Sequence, residues 1–159
     1  MVIGGLVLGA ILVSAGAMVW RMNFAPQPDD HFAAAEAARA AGKLDEAITQ
    51  YRNTLQLEPT HYLAHWRLGQ TYLAQGRTAP ALAELEHAMP LAGMEPDITV
   101  DLARARIKLG QHQRALAEIE ALPRPRSPEL DKLADEARLA LGDRKSNAAA
   151  LARVAPQVP

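Results

Sequence analysis

HYLAHWRLGQTYLAQGRTAPALAELEHAMPLAGMEP, residues 61–96, is the stretch that decides the fold. Gly76 stands near its middle, Ala81 follows five residues later, and Leu85 follows after another four. The same order of glycine, alanine and large apolar residue occurs 34 residues earlier and 34 residues later in the chain. The other two copies are Gly42, Ala47 and Tyr51, and Gly110, Ala115 and Ile119. Self-similarity at this period predicts a stacked array of helical repeats.

Each unit has the pattern of two amphipathic helices joined at its glycine. Apolar residues recur three or four positions apart, as Leu68 and Tyr72 do before Gly76. A glycine at such a junction reaches the left-handed conformation that ends a helix at little steric cost. The alanine lets the paired helices approach closely, and the bulky residue after it fills the next gap. We therefore expect the three glycines to occupy equivalent bends.

The pattern resembles the tetratricopeptide repeat (TPR), a helix-turn-helix unit of 34 residues. We call the three sets of glycine, alanine and large apolar residue the glycine ladder. Further residues that match the repeat are Pro59 in the first copy, Leu68-Gly69, Tyr72 and Ala88 in the second, and Leu102-Ala103 in the third. The departures are Gly93, Arg106 and Leu122. The resemblance implies an all-α, TPR-like helical-repeat solenoid over residues 30–156. It would contain three repeats and a degenerate C-terminal helix pair around Gly142, followed by a tail at 157–159.

The N-terminal segment predicts a transmembrane helix over residues 1–21. Met1 to Trp20 contain no ionisable side chain, and about 20 helical residues match a hydrocarbon layer of about 30 Å. A cleaved signal peptide is the alternative, because Ala15-Gly16-Ala17 resembles a cleavage site, but no Lys or Arg precedes the apolar run. Residues 22–29 then form a proline-containing spacer. Gly5 and Gly9 would allow a partner transmembrane helix to pack closely.

Two indications bear on the side of the membrane where the repeats lie, and they point in opposite directions. Arg21 and Arg39 follow the apolar segment and favour a cytoplasmic body. The chain is also similar to bacterial single-span TPR proteins, including cytochrome c maturation factors, and that resemblance implies a periplasmic body. The absence of cysteine fits either compartment. We expect a single-pass protein of a bacterial inner membrane and favour the periplasmic side.

Composition and motifs argue against an enzyme. The net charge is −1, which gives no reason to expect nucleic acid as a partner. The sequence has no glycine-rich phosphate loop and no nucleophile elbow. His61 and His65 have a spacing that could place two imidazoles on one helical face, but no third metal ligand is patterned around them. We therefore expect no catalytic residues, no metal and no cofactor.

The first helices of the units should line a concave face that binds a protein partner. In the arrangement of the resembled family, the positions on this face are Phe32, Glu36 and Arg39, then Leu63, Trp66, Gln70 and Leu73, then Val100, Arg104, Ile107 and Lys108. Residues 32, 66 and 100 are all large and apolar, with cations at their edges, which suits a segment with apolar anchors and acidic character. Alternatively, Phe32 and Trp66 pack against neighbouring helices. The Lys and Asn residues of the family's clamp for an acidic C-terminal carboxylate are absent from the matching positions.

These observations predict a membrane-anchored scaffold for protein–protein interaction. It would act as an assembly factor or accessory subunit of an inner-membrane complex, with cytochrome c maturation as one named setting. The alternative is a permanent structural subunit of a larger membrane enzyme that presents no open groove. A small metal-dependent enzyme is the third hypothesis.

Overall fold

A computed structural model describes residues 26–93, 95–124 and 126–142 of the chain. The predicted transmembrane helix at 1–21, with Gly5 and Gly9, lies outside the described residues. So do residues 22–25 of the spacer, the second helix of the terminal pair and the tail at 157–159. Among the residues that the structure does describe, no helix is both long enough and apolar enough to cross a membrane.

Seven helices make up the described part; the first six form three consecutive helix pairs, and the seventh follows them. They are α1 (Pro28–Ala40), α2 (Leu44–Leu57), α3 (Tyr62–Ala74), α4 (Thr78–Ala92), α5 (Pro96–Lys108), α6 (His112–Ala121) and α7 (Pro128–Ala140). The expected all-α repeat solenoid is therefore confirmed over these residues. Helix α1 begins at Pro28, inside the predicted spacer, because the Asp30 carboxylate accepts the Gln27 backbone N–H over 2.8 Å and caps the first turn.

The glycine ladder marks equivalent bends. Gly42, Gly76 and Gly110 have φ values of 74°, 73° and 74°. In each case, the residue after the glycine donates its backbone N–H to a carbonyl five positions back, which closes the end of the first helix. These pairs are Lys43 to Ala38, Arg77 to Tyr72 and Gln111 to Arg106, at 2.9, 2.9 and 2.8 Å. Gly142, with φ of 73°, ends α7 in the same left-handed conformation, although it falls two residues short of the 34-residue spacing.

The alanine and apolar positions of the ladder form the core. Ala47, Ala81 and Ala115 are fully buried, as are Tyr51, Leu85 and Ile119. A Cβ atom at Gly69 would lie 2.8 Å from Leu85 Cγ, so helices α3 and α4 are in contact at this point without space for another methyl group. The predicted roles of small and large residues in helix packing are thus confirmed.

Arg106 departs from the repeat pattern in the third unit, and it is buried at the position that Tyr72 occupies one repeat earlier. Its guanidinium lies 2.9 Å from Glu86 and 2.8 Å from Glu118 and donates to Gln111 over 3.1 Å. The third repeat therefore keeps its helix pair by exchanging an aromatic contact for a partly buried ionic cluster between α4, α5 and α6.

Candidate protein-binding face

The first helices of successive pairs, α1, α3, α5 and α7, are joined side by side through their polar side chains. Arg67 in α3 lies 3.8 Å from Glu36 in α1, and Gln70 in α3 donates to Asp101 in α5 over 2.7 Å. Arg104 in α5 forms an ion pair with Glu129 in α7. We call the surface formed by these four helices the inner face.

The α1 end of the inner face is an internally paired polar cluster. The Glu36 carboxylate lies 3.0 Å from the Arg39 guanidinium and accepts a hydrogen bond from the Tyr51 hydroxyl. Partial burial by itself raises the pKa of Glu36, but the bonds from Arg39 and Tyr51 and the charge of Arg67 outweigh it, so the pKa lies below its usual value. Burial, followed by the Glu36 carboxylate, raises the pKa of Tyr51. This end therefore holds its own anion and cations together.

Phe32 packs within the fold as well. Its ring stacks on His61 with centroids 4.9 Å apart and meets Tyr51 in a tilted contact at 5.8 Å. The ring is half-buried and packs against the core of the first two repeats. For Phe32, the structure favours the packing alternative over an open apolar position.

Trp66 has both packing and polar contacts. Its indole ring packs against the cluster of Leu82, Leu85 and Leu102, and its N–H donates to Asp101 over 2.9 Å. The Arg67 guanidinium lies 4.8 Å from the centre of the ring, within the range of a cation–π contact. Because Trp66 remains half-buried, it still contributes to the walls of a groove on the inner face.

The remaining predicted positions divide between core and surface. Val100 and Ile107 are buried at 9% and 8% exposure in the core of the third repeat. Leu63 and Leu73 are half-buried, and Leu73 packs between two core clusters. Lys108 is exposed, and Arg104 is half-buried. Binding of a partner by these residues stays a prediction.

Two adjoining grooves lie on the inner face. The α5–α7 groove, of about 540 Å³, is lined by Arg104, Ile107, Lys108, Pro128, Glu129, Lys132, Leu133 and Glu136. The α3–α5 groove, of about 430 Å³, is lined by Trp66, Arg67, Gln70, Asp97, Val100, Asp101, Arg104, Ser127 and Glu129. Both include Arg104 and Glu129, so this ion pair lies at the boundary between the two grooves.

Several residues that line the grooves were missing from the sequence prediction, and three of them, Arg67, Asp101 and Glu129, make polar contacts between helices. Asp101 is the centre of the polar network, because it accepts from Trp66, Gln70 and Arg104. Arg67 and Asp101 stand 34 residues apart, so the repeat spacing itself could have indicated that they share a face. Glu129 lies in the less regular terminal pair, where that spacing does not extend.

The two histidines with metal-ligand spacing have different contacts. His61 accepts the Ala64 backbone N–H over 3.1 Å and caps α3. His65 Nδ1 lies 2.8 Å from a Glu84 carboxylate oxygen, and its Nε2 lies 3.0 Å from the Pro59 carbonyl oxygen. Within the described ranges, no group of three or more His, Asp or Glu side chains is arranged to hold a metal ion.

Together, the paired helices, the glycine bends and the inner face define a helical-repeat fold with an accessible groove surface. Residues 38–98 match the family model described as tetratricopeptide repeat, and this match includes Gly42 and Gly76. The repeats in this segment are therefore similar to tetratricopeptide repeats.

Known proteins agree with this assignment of the fold. The chain is similar to the tetratricopeptide repeat and J domain-containing co-chaperone DNJ1 of Fusarium oxysporum, with 30% identity over 107 residues, which are 67% of this chain and 20% of the relative. It is 27% identical over 95 residues to DnaJ homolog subfamily C member 3 of Rattus norvegicus, covering 58% of this chain and 18% of that protein. The chain thus spans about a fifth of the length of these curated relatives.

A solved structure shows the same fold. The first TPR of Spaghetti (RPAP3), solved with the HSP90 peptide SRMEEVD, superposes with a TM-score of 0.67 at 19% identity. The superposition covers 73% of this chain and 94% of that one.

Proposed function

We propose that this chain is a non-enzymatic scaffold that binds a protein partner on its inner face. The pair of adjoining grooves formed by α3, α5 and α7 carries the proposal, because concave faces of stacked helix pairs accept extended or helical segments. A protein partner also agrees with the HSP90 peptide bound by the structurally similar Spaghetti domain. No cofactor and no nucleic acid enter the proposed activity.

The proposed setting is a bacterial inner membrane, with residues 1–21 as a single-pass anchor and the repeats in the periplasm. The apolar character of Met1 to Trp20 supports the anchor, and Gly5 and Gly9 would contact a partner transmembrane helix. In this setting the scaffold serves as an assembly factor or accessory subunit of a membrane complex. One such role is in cytochrome c maturation, and the resemblance of the sequence to maturation factors supports it.

Site-specific photocrosslinking tests the binding face. A photoreactive residue replaces exposed Lys108 in the α5–α7 groove, and a matched variant carries it at exposed Gln113 in α6. We expect Lys108 to crosslink a defined protein in intact cells and Gln113 to give no such product. Equal products from both positions, or none from Lys108, would contradict binding on the inner face.

Cysteine labelling tests the anchor and its orientation. The natural chain has no cysteine, so a Gln27→Cys variant provides one thiol beside the predicted membrane helix. A membrane-impermeant maleimide should label it in intact cells with a permeabilised outer membrane. Labelling only after lysis would place the repeats in the cytoplasm, and recovery of the chain in the soluble fraction would contradict the anchor.

The permanent structural subunit remains the second candidate, and the internal pairing of Glu36, Arg39 and Arg67 favours it at the α1 end. The two roles predict different behaviour in a pull-down in mild detergent. A permanent subunit should appear at fixed stoichiometry with its complex. An assembly factor should be present in substoichiometric amounts and bind incompletely assembled partner.

A further inference from the structure

We propose that the α5–α7 groove is the compartment of the inner face that binds an acidic peptide segment, and that Glu129 competes with this segment for Arg104. The inference rests on the proposed function and assigns it to one groove and one class of ligand.

Charge distribution separates the two ends of the inner face. At the α1 end, Arg39 and Arg67 both lie beside the Glu36 carboxylate, so an incoming acid finds cations that already have a partner. In the α5–α7 groove, Lys108 and Lys132 form no ion pair with any residue of the described ranges. Two unpaired ammonium groups at one groove favour a ligand that carries carboxylates.

The floor of the α5–α7 groove between these lysines is apolar. Ile107 and Leu133 line the same groove and are each 8% exposed, so they offer a shallow contact for an aliphatic side chain. Charged rims around an apolar floor match a segment in which acidic residues flank a large apolar residue. The C-terminal segment outside the described residues is a poor match, because residues 143–159 contain Arg144, Lys145 and Arg153 against a single acidic side chain.

Glu129 occupies the place that a ligand carboxylate would take on Arg104. The Arg104 guanidinium donates one N–H to Asp101 over 2.8 Å and uses its other terminal nitrogen for Glu129. Asp101 is buried, whereas the Glu129 side chain is 55% exposed and belongs to a surface ion pair of the kind that exchanges readily. A ligand carboxylate can therefore replace Glu129 while Asp101 continues to hold the guanidinium. Displacement of Glu129 would also open the boundary between the two grooves.

The groove contains a matched control for this competition. Glu136 lines the α5–α7 groove as well, but it forms no ion pair with Arg104. Glu136→Gln therefore removes one negative charge from the groove without releasing a cation. Glu129→Gln removes the same charge and also releases Arg104.

An array of random-sequence peptides tests the proposal on the full-length chain in mild detergent. We expect the captured peptides to be enriched in Asp and Glu next to Leu or Ile. A Lys108→Glu/Lys132→Glu double variant should lose at least tenfold in affinity for a captured peptide, whereas Lys43→Glu, at an exposed lysine remote from the groove, should retain it. Glu129→Gln should tighten binding by up to about fivefold, and Glu136→Gln by clearly less.

The possible failures are distinguishable. Peptides that bind equally well to the double variant, or that show no acidic enrichment, overturn the inference while the proposed function survives. Equal tightening by Glu129→Gln and Glu136→Gln overturns the competition by Glu129. Capture of no peptide by the natural chain counts against both the groove and the proposed function.

Discussion

Trp66 in α3 donates its indole N–H to the carboxylate of Asp101 in α5 over 2.9 Å, and this bond joins two successive repeats at the inner face. Asp101 is 7% exposed and accepts in addition from Gln70 and Arg104. A single carboxylate thus receives donors from two helices.

Asp101→Ala should destabilise the repeats by about 3 kcal/mol, because it leaves a guanidinium and two neutral donors without their common acceptor. Asp101→Asn keeps one acceptor oxygen and should cost less. Urea unfolding followed by far-ultraviolet circular dichroism measures both. Asp97→Ala, an exposed aspartate in the first turn of the same helix, is the control and should cost less than about 1 kcal/mol. Equal losses at the two positions would contradict the role of Asp101.

Alanine should be unfavourable at Gly76 and at Gly69 for different reasons. A Cβ atom at Gly76 meets no atom within 4 Å, but φ is +73°, so Gly76→Ala should cost about 1 kcal/mol through backbone strain alone. At Gly69 the Cβ would lie 2.8 Å from Leu85 Cγ, and overpacking of the buried leucine should cost about 1–3 kcal/mol. A Leu85→Val change in the same chain should recover part of the loss at Gly69 and none of it at Gly76. Additive losses in the Gly69 double variant would contradict the steric account.

Arg106 should be required for stability mainly above acidic pH. Arg106→Ala leaves Glu86 and Glu118 beside each other without their cation, and we expect a loss of about 2 kcal/mol at neutral pH because both carboxylates are partly exposed. Burial already raises the pKa of Glu118 in the natural fold, although Arg106 opposes this.

The sign of the pH effect follows from that raised pKa. A carboxyl group with a raised pKa in the folded state costs stability at high pH, and the cost disappears as the pH falls toward the unfolded value of 4.5. The difference between Arg106→Ala and the natural chain should therefore shrink on acidification, as measured by unfolding midpoints at several pH values. Arg106→Tyr, which introduces the residue of the preceding repeat, should be less harmful than alanine. A pH-independent difference would contradict this account.

His65 should make stability depend on pH near neutrality. The carboxylate of Glu84 and the carbonyl of Pro59 can only accept hydrogen bonds, so the two ring nitrogens are both satisfied only when both carry protons. The Glu84 bond is the main cause that raises the pKa of His65, against the opposing effect of burial, and the Pro59 carbonyl adds to it. The His87 ring, 5.3 Å away, faces the same imidazole.

The stabilising contribution of His65 is complete below its unfolded pKa of 6.5 and is lost as the pH rises through the raised folded value. Thermal unfolding of the natural chain should show this loss, and Glu84→Gln should reduce it. Gln113→Ala, at an exposed residue of α6 that does not titrate, is the control and should leave the pH profile unchanged. A profile that Glu84→Gln does not alter would show that this ion pair has no part in it.

The repeat fold could be predicted from the sequence because its determinants are local and periodic. The left-handed bend requires glycine, and close helix approach requires alanine, so Gly42, Gly76 and Gly110 with their alanines reveal the units by spacing alone. The same spacing placed Trp66, Gln70 and Arg104 correctly on first helices. Gly142 shows the limit, because it ends α7 with the same left-handed φ at a spacing that the pattern does not include.

Only the tertiary structure decided which of these side chains have partners. Glu36 pairs with Arg67 across 31 positions of sequence, and Arg104 pairs with Glu129 across 25. Such pairs depend on the distances between helices and on side-chain rotamers, and neither has a period in the sequence. The sequence therefore determined the stacked helices. The packing of those helices decided that Phe32 contacts His61 and Tyr51, and that Lys108 in α5 and Lys132 in α7 have no ion-pair partner among the described residues.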